Sequence, residues 1–254
     1  MLATSPDGSK LIVATALGNG FVMDISNAAN TVKEISRFKF TGIAKGAAFV
    51  DNTHFYVLSN SEIKRYHFEA NTLVGDMPIT TDNINCIAVA KSGKIYTSYN
   101  NKIITYNSWA DVNLKAAETY NLASQIMSLT VDGTESYIAA GTYDGGVWLR
   151  EIKTNNTFTQ SLHLSNVSDV KFSKLSDGKL QLATASADAT IRLIDVKSAL
   201  SKGIEDIITL NGHNMWIYCL LYSADGKFLY SGSEDKRIFG WHTTTAGLYQ
   251  TLNK

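Results

Sequence analysis

The chain has 254 residues, 44% apolar and 18% charged, enough to bury roughly three quarters of its unfolded surface and to exclude global disorder. Lysine plus arginine (23) balances aspartate plus glutamate (23), which argues against nucleic acid and anionic membranes, the partners that select clustered positive charge. No apolar run approaches the roughly 18 residues that span a bilayer, Met1-Leu2-Ala3-Thr4-Ser5 has no signal-peptide pattern, and two cysteines give no disulfide framework, so a soluble cytoplasmic protein is expected.

From the N-terminus onward, short β-prone runs alternate with clusters of Gly, Asp, Asn and Ser. Residues 10–15, 55–58, 94–97 and 137–140 are each strand-length and too short for an ordinary helix. Residues 110–122 hold some helix formers but no capping box at their start. The pattern predicts an all-β chain.

A turn signal punctuates these runs. It reads Ser5-Pro6-Asp7-Gly8, Val50-Asp51-Asn52, Lys91-Ser92-Gly93-Lys94, Val131-Asp132-Gly133, Ser176-Asp177-Gly178 and Ala224-Asp225-Gly226. The anchors at 7, 51, 92, 132, 177 and 225 are 44, 41, 40, 45 and 48 residues apart. After each turn comes a β run, a second polar turn and another β run, as in 182–188 with 190–196 and 229–235 with 237–241. Six units of about 40–45 residues, each with four short strands, predict a β-propeller over 1–254.

The last unit resembles a WD repeat. It carries Gly212-His213, Ser223-Ala224-Asp225-Gly226, Ser231-Gly232-Ser233-Glu234-Asp235 and Trp241 at the spacing of that family. The resemblance implies that His213, Ser231 or Ser233, Asp235 and Trp241 form a hydrogen-bonded chain that stiffens the blade. It fades toward the N-terminus, where Ile194, Arg150, Tyr106, Tyr66 and Met23 replace the Trp and the Gly-His pair is missing.

Met1 falls near the end of an innermost strand, so the first unit is expected to lack an outer strand of its own. Residues 247–252 would supply it, closing six four-stranded blades by pairing the N- and C-terminal strands and hiding two sheet edges. The alternative is part of a seven-bladed ring. The start inside a blade suggests one domain of a longer parent chain.

Catalytic signatures are sparse. His54, His67, His163, His213 and His242 form no His-x-x-x-His pair, and there is no Cys-x-x-Cys, no Gly-x-Ser-x-Gly elbow and no phosphate loop. Gly141-Thr142-Tyr143-Asp144-Gly145-Gly146 reads as a tight turn between strands. Cys86 and Cys219 each lie six residues before a turn anchor and are expected to be buried free thiols. The reading is a non-catalytic chain without cofactor or metal.

In the WD-repeat family one rim is built from the loop before each innermost strand and the loop joining the two middle strands. Counting back from the turns puts Gly42, Asn83, Ala123, Asn166 and Trp216 in the first kind of loop, and Tyr99, Tyr143 and Lys236 in the second. Trp, Tyr and the adaptable Met215 are the side chains that anchor protein contacts. The expected function is a scaffold or sensor module that binds a protein or peptide, or other domains of a longer chain, on this rim. The alternative is a metal-dependent propeller hydrolase or lactonase.

Overall fold

The computed structural model describes residues 1–254 apart from 27–30, 70–71, 81–83, 112–115, 204–206 and 254. The recurring aspartates explain the repeat at the level of the backbone. Each bends its carboxylate onto the N–H two residues ahead: Asp7 accepts from Ser9 (2.9 Å), Asp51 from Thr53 (2.7 Å), Asp132 from Thr134 (2.9 Å), Asp177 from Lys179 (3.0 Å) and Asp225 from Lys227 (3.1 Å). An Asx turn of this kind satisfies a donor that a strand partner cannot reach and reverses the chain without a long loop. In the third unit Ser92 Oγ takes the same part for Lys94 N–H (3.3 Å). The hydroxyl of Ser5, with the N–H and hydroxyl of Ser9, holds the Asp7 carboxyl down to a pKa of about 2.

The described residues form six antiparallel sheets, the blades of a six-blade β-propeller, in two compact units, Met1–Asn121 and Leu122–Lys254. In the first unit, sheet one comprises β1 (Leu2–Thr4), β2 (Lys10–Ala14), β3 (Asn19–Asp24) and β4 (Lys33–Lys39). Sheet two comprises β5 (Ala44–Phe49), β6 (His54–Ser59), β7 (Glu62–Glu69) and β8 (Thr72–Gly75), and β9 (Ile79–Thr80) pairs with the start of β7. Sheet three comprises β10 (Ile84–Val89), β11 (Ile95–Tyr99), β12 (Lys102–Tyr106) and β13 (Glu118–Asn121).

The second unit repeats the plan. Sheet four is β14 (Ile126–Val131), β15 (Tyr137–Thr142), β16 (Gly146–Glu151) and β17 (Thr157–Ser161). Sheet five is β18 (Val167–Lys174), β19 (Leu180–Ser186), β20 (Thr190–Asp195) and β21 (Ile207–Asn211). Sheet six is β22 (Ile217–Tyr222), β23 (Phe228–Ser233), β24 (Arg237–His242) and β25 (Leu248–Asn253). The register slips at the start of β5, β10, β14, β18 and β22, between Ala44/Gly46, Ile84/Cys86, Ile126/Ser128, Val167/Asp169 and Ile217/Cys219. This shared bulge makes positions comparable between sheets.

Alternating strand residues of successive sheets interdigitate to make the core. In the first unit Ile12, Val22 and Phe38 pack on Phe55, Val57 and Tyr66, and Tyr56, Leu58 and Ile63 pack on Ile95. In the second, Ala139, Val147 and Leu149 pack on Val167, Val170, Leu182 and Ile194. Ala183, Ala185, Ile191 and Leu193 pack on Ile217, Leu220, Leu229, Phe239 and Trp241. Burying each such Ile, Leu or Phe contributes about 1.5–3 kcal/mol.

Two expectations need correction. Terminal strands do not pair: β1 to β4 complete sheet one from residues 2–39, and β25 pairs with β24 as the outer strand of sheet six (Ile238↔Leu252, Gly240↔Gln250). The hairpin to β24 is short and local, so it forms at lower entropic cost than a pairing across the whole chain. Second, residue 196 ends no strand. Val196 opens a helix, α1 (Val196–Lys202), because Asp195 accepts from Ser198 N–H (2.8 Å) as its N-cap and Gly203 closes it at φ +84°. Within residues 110–122 the described parts are a 3₁₀ turn (Trp109–Asp111) and β13.

Candidate functional site

Each sheet begins its first strand, turns between its second and third, and ends its fourth at one and the same end. In the second unit that end carries the β15–β16, β17–β18, β19–β20, β21–β22 and β23–β24 loops. What fixes these loops is a line of buried hydrogen bonds.

In sheet six the line runs from Trp241 to Asp235. Trp241 Nε1–H donates to Ser231 Oγ (2.9 Å), Ser231 lies 2.8 Å from His213 Nε2, and His213 Nδ1 lies 2.8 Å from Asp235. A carboxylate can only accept, so Nδ1 donates to Asp235, while Nε2 meets the serine hydroxyl. Both ring nitrogens and the indole N–H are satisfied, as buried polar groups require. Burial works against charge on Asp235, but His213 and the N–H of Arg237 outweigh it and hold the carboxyl below its ordinary range. Ser233 stands outside this line: its hydroxyl donates to the Met215 carbonyl (3.2 Å) and accepts from Asp235 N–H (3.1 Å). Ser231, not Ser233, is the hydroxyl in the chain.

Sheet five holds a second line that the sequence reading passed over. His163 Nε2 lies 2.8 Å from Thr184 Oγ1 and Nδ1 lies 3.1 Å from Asp188, at the positions of His213, Ser231 and Asp235. Leu162 replaces the glycine before the histidine, and Ile194 replaces the Trp, which hides the motif. The recurrent His, hydroxyl and Asp spacing was the signal that could have found it. Burial depresses the His163 pKa below its ordinary value, with Arg192 adding to the effect and Asp188 opposing it.

Backbone bonds pin the loops to one another. Asp188 accepts from Leu164 N–H (2.9 Å), and the Asn166 carbonyl accepts from Ala187 N–H (3.0 Å). Glu234 N–H donates to the Trp216 carbonyl (2.9 Å), and Tyr143 N–H donates to the Gln125 carbonyl (2.8 Å). Gly145, at φ +86°, brings its carbonyl to the N–H groups of Leu162 and His163 (3.1 Å each), and a Cβ there would sit 2.1 Å from the His163 carbonyl oxygen.

The backbones are held and the side chains are not. Trp216 is 50% exposed, Met215 44% and Tyr143 61%, while Lys236 is exposed and Asn166 half-buried. Leu164, which the sequence reading did not single out, is 96% exposed. It follows His163 directly, and an apolar residue on a loop reads as core unless its neighbours are known to be tied down. In the first unit Tyr99 is at the rim end of β11, Gly42 at φ +89° precedes β5, and the adjoining Ile43 donates its N–H to Asn60 Oδ1 (2.7 Å). Ala123 is exposed in the loop before β14. Asn83 lies outside the described residues.

Cys86 and Cys219 occupy equivalent bulge positions and both are free thiols. Cys86 is buried but Cys219 is exposed, a correction to the expectation of two buried thiols. Among the described residues no group of three or more His, Cys, Asp or Glu side chains could hold a metal ion. No helix among them is long and apolar enough to cross a membrane.

Comparison with known proteins bears on the same stretch. The profile of the WD domain, G-beta repeat, matches residues 154–195 and 204–242, the lengths that carry the two histidine lines. The chain is 30% identical over 105 residues to the zebrafish (Danio rerio) WD repeat and SOCS box-containing protein 1, covering 41% of this chain and 23% of that protein. It is 24% identical over 244 residues to the mouse (Mus musculus) NACHT domain- and WD repeat-containing protein 1, covering 91% of this chain and 14% of the relative. It is 42% identical over 66 residues to the nuclear distribution protein PAC1 of Tuber melanosporum, covering 26% of this chain and 13% of the relative. The chain thus spans less than a quarter of the length of each of these relatives.

Proposed function

From a chain that carries the repeats of the WD-repeat family, we propose a non-catalytic protein-interaction module that binds a protein or peptide segment on the loop end of its sheets. The observation that carries this reading is the pairing of fixed backbone with free apolar side chain at Tyr143, Leu164, Met215 and Trp216. Ordering a flexible loop on binding costs free energy, and loops already tied to Asp188, Ser233 and Glu234 avoid that cost. Trp and Tyr add large, stiff contact area with a polar handle. Asn166 and Lys236 supply polar contacts at the margin. The 254 residues act as one module in this reading.

The test uses peptides selected from a random-sequence display library against the full chain. Trp216→Ala is expected to weaken the selected peptide by about 2 kcal/mol, the scale of a binding hot spot, and Leu164→Ser by about 1 kcal/mol. Both variants should melt like the wild type, since neither side chain is buried. Unchanged affinity in both would overturn the rim assignment. A stoichiometric divalent metal in the purified protein would instead favour the hydrolase reading.

A further inference from the structure

At the end of the sheets opposite the rim, sheet five carries an insertion. Residues 196–206 join β20 to β21, whereas residues 243–247 suffice between β24 and β25. Within that insertion α1 leans toward sheet four: Val196 and Ala199 are buried in one cluster with Leu149 and Phe158, and Asn156 Nδ2–H donates to the Leu200 carbonyl (3.0 Å). Held there, the helix lines a cleft with Lys197, Ser198, Ser201 and Lys202, and Thr243 and Thr244 of sheet six line it as well. The cleft has a volume of about 660 Å³, within the roughly 300–1,000 Å³ of small-molecule pockets.

Its lining is partly aliphatic, with one fixed polar group. Leu175 and Leu193 are buried, Ile207 is half-buried and Ile208 is exposed. Gln181, only 7% exposed, accepts from the Tyr222 hydroxyl (2.9 Å) and donates to the Thr243 carbonyl (3.2 Å). A carbonyl only accepts, so the amide is fixed with its nitrogen toward Thr243, and its second N–H has no acceptor among the described residues. The charged groups are unequal. Asp195 turns onto Ser198 N–H (2.8 Å) and Asp177 onto Lys179 N–H (3.0 Å), with Lys179 Nζ 4.0 Å from the same carboxylate. Lys197 and Lys202 form no ion pair among the described residues. Three ammonium groups thus stand against two carboxylates, leaving one positive charge in excess.

We infer that this cleft is a binding site for a small organic anion, an apolar body carrying one carboxylate or phosphate group. Leu175, Leu193, Ile207 and Ile208 take the body out of water. The lysine ammonium groups and the second Gln181 N–H are all donors, the chemistry that an anionic oxygen accepts. Lysine meets either head group as a point charge on a flexible stem. A cation of the same size would oppose the excess charge and would find both carboxylates already turned onto N–H groups. The cleft and the rim are at opposite ends of the sheets, so this site does not depend on peptide binding at the rim.

Amide NMR of the isotope-labelled full chain, titrated with 2-naphthyl phosphate, 2-naphthoate and uncharged 2-naphthol, tests this. Both anions should saturably shift the Gln181 side-chain amide and the Ser198, Ser201 and Ile208 amides, and leave the Trp216 indole N–H in place. The anion that saturates first names the head group. Lys197→Gln and Lys202→Gln together should weaken both anions about tenfold, the scale of a charged hydrogen bond. Melting should not change, because both residues are exposed. Anions that bind no tighter than naphthol, or that bind the double variant as tightly as the wild type, would overturn the inference. So would shifts confined to the rim, or no saturable shift in the cleft up to the solubility limit.

Discussion

Where sheet six carries His213, Ser231 and Trp241, sheet two carries Phe40, Val57 and Tyr66 at the same places relative to the strand pairs. Sheet six connects its three through hydrogen bonds that end on Asp235. Sheet two fills the space with rings: Phe38 lies 4.6 Å from Tyr66 and 5.4 Å from Phe55 between centroids, and Phe40 lies 6.2 Å from Phe38. The Tyr66 hydroxyl still finds a partner, donating to the Lys39 carbonyl (2.6 Å). One backbone plan accepts either chemistry. Rings bury more area and tolerate small shifts, whereas the polar line fixes one ring orientation and one loop position, at the end where the candidate contacts lie.

The sharpest way to break this comparison is to remove one member from each side. Phe55→Ala, at a fully buried position, is expected to cost sheet two about 3–5 kcal/mol, most of it from the cavity left behind. Asp235→Ala leaves the His213 Nδ1–H and the Asn214 N–H without their acceptor and should cost about 1–3 kcal/mol. Native-state hydrogen exchange, read sheet by sheet, separates the two effects. If Asp235→Ala proved the more damaging, the polar line would matter to the fold more than this comparison allows.

A smaller effect distinguishes the two chemistries by pH. His163 is buried with its pKa below the ordinary 6.5, so the unfolded chain takes up its proton before the folded one does. The stability this contributes is present above that ordinary value and is lost as pH falls through it. Asp188, held below its usual range despite burial by Thr190, Leu164 N–H and His163, withdraws its share only at lower pH. Amides of β18–β21 should therefore lose protection between pH 7 and 5, after correction for intrinsic rates, and those of β5–β7 should lose less. Equal loss in both regions would remove the link to His163.

Much of this was legible in the sequence because it is local. Each of Asp7, Asp51, Asp132, Asp177 and Asp225 closes onto an N–H only two residues ahead, so these aspartates marked the repeat before any coordinates did. What the sequence concealed depends on distant neighbours. Residues 247–252 read as a strand but could not say that β24 was the partner. His163 was hidden by the loss of the glycine and tryptophan that mark the motif in sheet six. Leu164 and Cys219 look like core residues in a string of letters, and only the packing of their neighbours leaves them exposed. The short α1 rests on Asp195 and Gly203, too few turns for a periodic apolar pattern to show.

The most direct measurement of the central claim is hydrogen–deuterium exchange of the full chain with and without a library-selected peptide. Protection is expected in residues 162–166 and 212–216, the loops that carry Leu164, Met215 and Trp216. Protection confined to the opposite turns around Asp177 and Asp225, with those two loops unchanged, would contradict it.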